Sequence, residues 1–226
     1  MRAYAGVRPG DGPDKVYRGL RQAIIEQALS PGTRLPEDRV ASQFGVSRTV
    51  VRTALERLGS EGLVDRINNR SARVAAIGLE AAEDLLAVRQ GLEAMVVSRL
   101  TGRLTPEQID RLQRHIAREE LGSSLNQAEA VRLSGEFHVL LAELTGSVLL
   151  TRYVSEVVSR ASLILTGHTL PHSSSCAVRE HLALIELIAG GDAVAAQASM
   201  RAHLAQVAWR AQLLPAPKEE GPHRLP

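Results

Sequence analysis

Three histidines, two arginines and one short basic helix carry most of the chemistry this chain can offer. His138, His181 and His203 each fall on or beside an apolar stripe of helical spacing: His138 with Leu141 and Thr145, His181 with Ile185 and Ile188, His203 next to Leu204. A lone histidine in such a place is ordinarily a core side chain satisfied by a backbone carbonyl. Three on neighbouring helices turn the reading toward a metal site, because imidazole suits Zn, Ni and similar divalent ions. Arg89 interrupts the stripe Leu85, Leu92, Val96, and Arg160 stands in register with Val157 and Ile164. An inward arginine requires an anionic partner, since an unpaired buried charge is very costly.

The second group lies near the N-terminus. Ser47, Arg48, Thr49 and Arg52 occupy the first turn and a half of a helix, opposite the stripe Val50, Ala54, Leu58. A helix N-terminus favours phosphate, and arginine there reaches guanine O6 and N7 in the major groove. Arg39, one helix earlier, is placed to meet the DNA backbone or a groove edge. Spacing alone leaves open whether Arg48 and Arg52 instead form solvated pairs, for instance Arg52 with Glu56.

Proline, glycine and capping residues place the elements that must hold these groups. Helices are expected over 14–28, from Pro36 to Phe44, and from Ser47 to Ser60, followed by two short strands, Gly62–Val64 and Ala72–Ala75, around the polar turn Asn68-Asn69-Arg70-Ser71. Three helices and a hairpin, with a tight Gly-Val-Ser turn before the third helix, make a winged helix-turn-helix pattern. After Leu79 the pattern is helical throughout, with six helices at roughly 79–101, 106–121, 126–145, 147–167, 176–189 and 193–213. Thr105-Pro106-Glu107-Gln108 is a capping box, Gly146 divides one long run, and Asp192 caps the last helix after Gly190-Gly191. The expected fold is mainly α. It has a winged helix-turn-helix domain over 1–76, an all-helical domain of about six helices over 77–214, and a disordered proline-rich tail over 215–226.

Charge follows the same division. Residues 1–76 hold thirteen basic and eight acidic side chains, whereas 77–226 hold fourteen and seventeen, and all seven histidines lie at or after His115. The 226 residues include one cysteine and six aromatics. One cysteine excludes a disulfide scaffold and a cysteine-based zinc finger. Scarce aromatics disfavour single-stranded RNA binding, which needs stacking surfaces, and a net charge of +2 disfavours non-specific DNA packaging. With no signal-peptide core and no apolar run of roughly 18 residues, the expectation is a cytoplasmic protein with no membrane partner.

The run LRQAII…LSPGTRLPEDRVASQFGVSRTVVRTALERLGSEGLV resembles the DNA-binding domain of the GntR family of bacterial transcription regulators, over about Lys15 to Ala75. The resemblance implies operator contacts from Arg39, Ser47, Arg48, Thr49 and Arg52, and a wing whose tip residue is Asn69. Glu136-Phe137-His138, followed by Glu180-His181…Gly191-Asp192…Met200…His203-Leu204, is similar to the all-helical FCD effector domain of the FadR-type subfamily, over about Leu79 to Leu213. Many such domains hold a divalent metal with one Asp and three His, and the metal with an inward Arg holds a small carboxylate. Here the position four residues before His138 is Ser134. Glu136 lies about 200° round the helix from His138 and is no substitute.

The expected function is therefore a ligand-responsive regulator that binds a palindromic operator as a homodimer. The expected ligands are a divalent metal (Zn or Ni-like) on His138, His181 and His203, and a small organic or sugar acid contacted by Arg89, Ser134 and Arg160. Two alternatives stand beside it. One is a metal-dependent enzyme using the three histidines, and the other a purely structural bundle with three hydrogen-bonded core histidines.

Overall fold

The computed structural model describes residues 12–26, 28–67, 71–125, 127–165 and 173–210. The proposed tail at 215–226 and the wing tip with Asn69 lie outside them. Helix α1 (Gly12–Ile25) buries Val16, Tyr17, Leu20, Ala23 and Ile24, a stripe at three- and four-residue intervals. After β1 (Arg34–Leu35), α2 (Glu37–Phe44) ends on Gly45, which takes the left-handed conformation at φ 66°. Helix α3 (Arg48–Ser60) opens on Ser47, whose hydroxyl accepts from Val50 N–H at 3.4 Å. Strands β2 (Val64–Ile67) and β3 (Ser71–Val74) complete an antiparallel sheet of order β1-β3-β2, with Arg34 opposite Arg73 and Val64 opposite Val74.

Six helices follow among the described residues: α4 (Leu79–Leu100), α5 (Pro106–Leu125), α6 (Gln127–Leu144), α7 (Val148–Leu165), α8 (Ser173–Gly190) and α9 (Ala193–Arg210). The capping box forms as its sequence dictates: Thr105 N–H donates to Gln108 Oε1 at 3.0 Å, and Gln108 N–H to Thr105 Oγ1 at 3.3 Å. Asp192 Oδ1 accepts from Ala195 N–H at 2.9 Å and starts α9. The structure departs from the sequence reading at several boundaries. Helix α1 begins at Gly12 and ends at Ile25, the hairpin strands run over Val64–Ile67 and Ser71–Val74, and β1 has no counterpart in the sequence reading. Two residues show no periodicity, so only their pairing with β3 defines β1. Helix α5 also passes through Gly122 to Leu125. There a Cβ would stand 2.5 Å from Leu133 Cδ1, so the glycine serves the close approach of α5 and α6 and does not end the helix.

The bundle core is built from Val96, Val97, Phe137, Leu141, Val154, Leu184, Ile188, Met200 and their neighbours. The winged unit has its own core around Val16, Ile24, Val51, Leu55, Leu58 and Leu63, and Leu163 of α7 is part of it. Polar contacts reinforce this joint. Arg21 Nη2 donates to Ser159 Oγ at 2.8 Å, and Arg132 Nε donates to Glu26 Oε1 at 3.1 Å.

Arg160, expected as an effector contact, lies against Gly62 in the turn after α3. A Cβ on Gly62 would stand 2.4 Å from Arg160 Nε. Gly62 has φ 67°, which costs an L-residue about 1–2 kcal/mol. Gly62→Ala should therefore destabilise the protein mainly through strain, because the flexible, part-exposed Arg160 side chain can swing aside. The loss should be nearly the same in an Arg160→Ala background, which a double-mutant cycle by denaturant unfolding will read directly.

Candidate functional site

The turn Gly45–Ser47 presents the first turn of α3 to solvent. Ser47, Arg48, Thr49 and Arg52 are all exposed there, as is Arg39 on α2. Arg48 is ion-paired with Asp38, and Arg52 grips Glu37 fork-to-fork, Nη2 to Oε2 at 2.9 Å and Nε to Oε1 at 3.2 Å. The helix-surface pairing weighed for these arginines is thus present, but it crosses from α3 to α2 and does not use Glu56 as the main partner. Such solvated pairs contribute little and exchange readily for another anion.

The second site is inside the bundle. Helix α6 supplies His138, α8 supplies His181 and α9 supplies His203, all almost wholly buried. Their side chains offer ligand atoms that all lie within 4.8 Å of one another. His203 Nε2 is 3.2 Å from His138 Nε2 and 3.3 Å from His181 Nε2. The opposite ring nitrogen of each is held by a carboxylate: His138 Nδ1 by Glu93 Oε2 at 2.5 Å, His181 Nδ1 by Glu119 Oε2 at 2.9 Å, His203 Nδ1 by Glu180 Oε2 at 2.6 Å. Phe137 stacks on His181 with centroids 4.0 Å apart and fixes its plane.

Burial and the facing charges pull on the carboxyls and on two of the imidazoles in opposite directions. Burial by itself would raise the Glu93 carboxyl, but facing His138 and Arg89 outweighs it and holds the group well below the usual carboxylate range. Burial pushes His138 down to about 4 against the pull of Glu93, and His203 down to about 3 against that of Glu180. Burial opposes ionisation of Glu119 too, yet His181 and His115 bring it down to about 2. An imidazole whose Nδ1–H donates to a carboxylate leaves its Nε2 lone pair available, and the Nε2 atoms of these rings turn toward one another. Nitrogens so arranged fit a divalent cation, and the carboxylate–imidazole arrangement is that of metal-bound histidines.

Arg89 is inward, as expected, and its anion is Glu93 on its own helix, Nε to Oε1 at 2.6 Å. It thereby supports the carboxylate behind His138. Ser134 lies one turn before His138 on α6, half-buried. Sequence reasoning missed Glu93 and Glu119 altogether, and quoted Glu180 beside His181 without assigning it a role. The i,i+4 spacings Arg89/Glu93 and His115/Glu119 were the available signal, since both are ion pairs along one helix face.

The chain matches two family descriptions, "Bacterial regulatory proteins, gntR family" over residues 13–74 and "FCD domain" over residues 84–206. It belongs to the gntR family of bacterial transcription regulators, in the branch that carries an FCD domain. Among relatives, it is 26% identical over 197 residues to the HTH-type transcriptional repressor RspR of Escherichia coli, covering 85% of this chain and 86% of that one. It is 28% identical over 223 residues to the HTH-type transcriptional repressor NanR of Escherichia coli, covering 88% and 84%. Its fold is that of Escherichia coli McbR/YncC (TM-score 0.78, 20% identity, 88% of this chain and 96% of that chain). A GntR regulator structure from Rhodococcus sp. RHA1 is equally similar (TM-score 0.76, 22% identity, 90% and 98%). No helix among the described residues is long and apolar enough to cross a membrane.

Removing the charge of Glu93 strands Arg89 in the core, so Glu93→Ala should cost about 3–5 kcal/mol in denaturant unfolding. Glu93→Ala combined with Arg89→Met should recover part of that loss.

Proposed function

We propose that this regulator binds a palindromic operator as a homodimer, and that a small organic or sugar acid taken up at the three-histidine centre alters its affinity for DNA. The observation that carries the reading is the convergence of three imidazoles, with His203 Nε2 within 3.3 Å of both other Nε2 atoms and each ring held from behind by a carboxylate. His138, His181 and His203 would hold a divalent ion of the Zn or Ni kind. Such an ion, when bound, supplies positive charge that favours an anionic ligand in a dry site. The residues of the chain supply the rest. Glu93, Glu119 and Glu180 orient the rings and fix their tautomers, Arg89 keeps Glu93 ionised, and Ser134 offers a hydroxyl one turn from His138. That repressors are named among the relatives supports regulation of transcription; the sign of this chain's own action does not follow from it.

At the other end, Arg39, Ser47, Arg48, Thr49 and Arg52 face the operator, with Asn69 at the wing tip. One short helix reads only a few base pairs, so a two-fold pair of winged units doubles the site. The second copy would pack on the exposed face shared by α4 and α7, where Val88, Met95, Leu149 and Tyr153 stand in solvent. Helix α4 carries apolar residues on its buried and its exposed sides alike, Val96 and Val97 inward and Val88 and Met95 in solvent, as a helix covered on two faces requires. Metal-dependent catalysis is the weaker reading, because the three nearest carboxylates are all committed to Nδ1 and do not face the Nε2 side as a general base would.

Three measurements test this. Protein purified without a histidine tag should contain a divalent ion that His181→Ala loses and Ser134→Asp holds more tightly; no binding even in excess metal overturns the centre. Operators selected from genomic fragments should bind Arg48→Ala or Arg52→Ala roughly 5–150-fold more weakly, with relaxed preference at one base pair. Light scattering should give a dimer that Met95→Glu and Tyr153→Glu together dissociate.

A further inference from the structure

A cleft of about 760 Å³ opens where α1 meets α5, α6 and α7; it is lined by none of the three histidines, though His115 on its wall is 3.5 Å from the Glu119 that holds His181. Helix α5 lines it with Arg111, Arg114 and Arg118, α6 with Arg132 and α1 with Arg21, over an apolar floor that includes Val139 and Val158. Residues 111, 114 and 118 share one helix face, where like charges repel unless an anion lies between them. Each does have a carboxylate: Arg111 Nη2 to Glu143 at 2.6 Å, Arg114 Nη2 to Asp110 at 2.8 Å, Arg118 Nη2 to Glu136 at 3.9 Å. All six side chains are at least 36% exposed, so these pairs are solvated and hold weakly. A guanidinium has five N–H donors, and a single carboxylate leaves most of them available. Arginine forks match carboxylate and phosphate oxygens, and several together select a ligand with more than one such group.

We propose that this cleft is a second ligand site, for a small anion bearing two or more carboxylate or phosphate groups, separate from the three-histidine centre. It lies across the joint between the winged unit and the bundle. Arg21 of α1 binds Ser159 of α7 and Glu61, and Arg132 of α6 binds Glu26 beside α1 together with Glu129 and Glu136, so these two are committed to the joint and the exposed arginines of α5 are the ones that exchange partners. An anion held by the α5 arginines sits against this joint, so occupancy of the cleft bears on how the winged unit is carried. A ligand acts on such an equilibrium only through unequal affinity for its two states, which a site built from both sides of a joint provides.

Isothermal titration of the full chain with tricarballylate and, separately, 2,3-bisphosphoglycerate tests this and tells the two anion sources apart. At least one probe should bind the wild type. Arg114→Glu with Arg118→Glu, both exposed, should weaken that binding by about tenfold or more, and Arg118→Gln alone by less, while circular dichroism stays unchanged. His181→Ala should leave it intact. The proposal is overturned if neither probe binds, if reversing the two charges leaves affinity unchanged, or if His181→Ala abolishes binding, which would assign the anion to the histidine centre.

Discussion

Glu93 meets Arg89 with one carboxylate oxygen and His138 with the other, and all three side chains are buried. Few arrangements tolerate this. A lone buried carboxylate would take up a proton and a lone buried guanidinium would stay outside, but together they compensate and leave one strong acceptor facing the imidazole. That acceptor decides which nitrogen of His138 carries hydrogen and hence which way its lone pair points. Glu119 and Glu180 repeat the device for His181 and His203. The inward-facing Nε2 triad, and with it the positions of α4, α5, α6, α8 and α9 about one point, follows from these carboxylates.

Much of this architecture is legible in the residue order because its boundaries are local events. Thr105 and Gln108 define the start of α5, Asp192 the start of α9, and Ser47 that of α3, each through a hydrogen bond spanning three residues. The three histidines are legible too, since each breaks an apolar stripe. Their partners are not. Glu93 and His138 are 45 residues apart, and Glu119 and His181 are 62 apart, so only the packing of helices brings them together. The partners of Arg48 and Arg52 escaped for the same reason, because Asp38 and Glu37 sit on the preceding helix. Arg160 misled in the other direction: its register with Val157 and Ile164 is real, but the side chain leaves the bundle for the turn at Gly62.

The two ends of the molecule are therefore built on different electrostatic terms. At α3, charges are solvated and their pairs are exchangeable, which suits a surface that must trade an internal carboxylate for a phosphate. At the histidine centre, Arg89 and Glu93 are buried and committed to each other and to His138, which suits a site whose geometry must not drift. Helix α6 spans the distance between these regimes, carrying His138 at the centre and Arg132 against Glu26 at the joint.

Leu163 makes the winged unit a lodger in its own house. It belongs to α7, more than a hundred residues beyond α3, yet it fills part of the core beneath α1 and α3. Cutting the chain after the wing would remove a fully packed leucine and leave a hydrophobic hollow open to water. Grafting this winged unit onto another regulator's ligand-binding half would do the same unless the recipient offered an apolar side chain at the same place. Recombination between such regulators is thereby restricted to donors whose seventh helix carries the missing piece, and a reader of DNA evolved on this scaffold travels with the bundle that completes it.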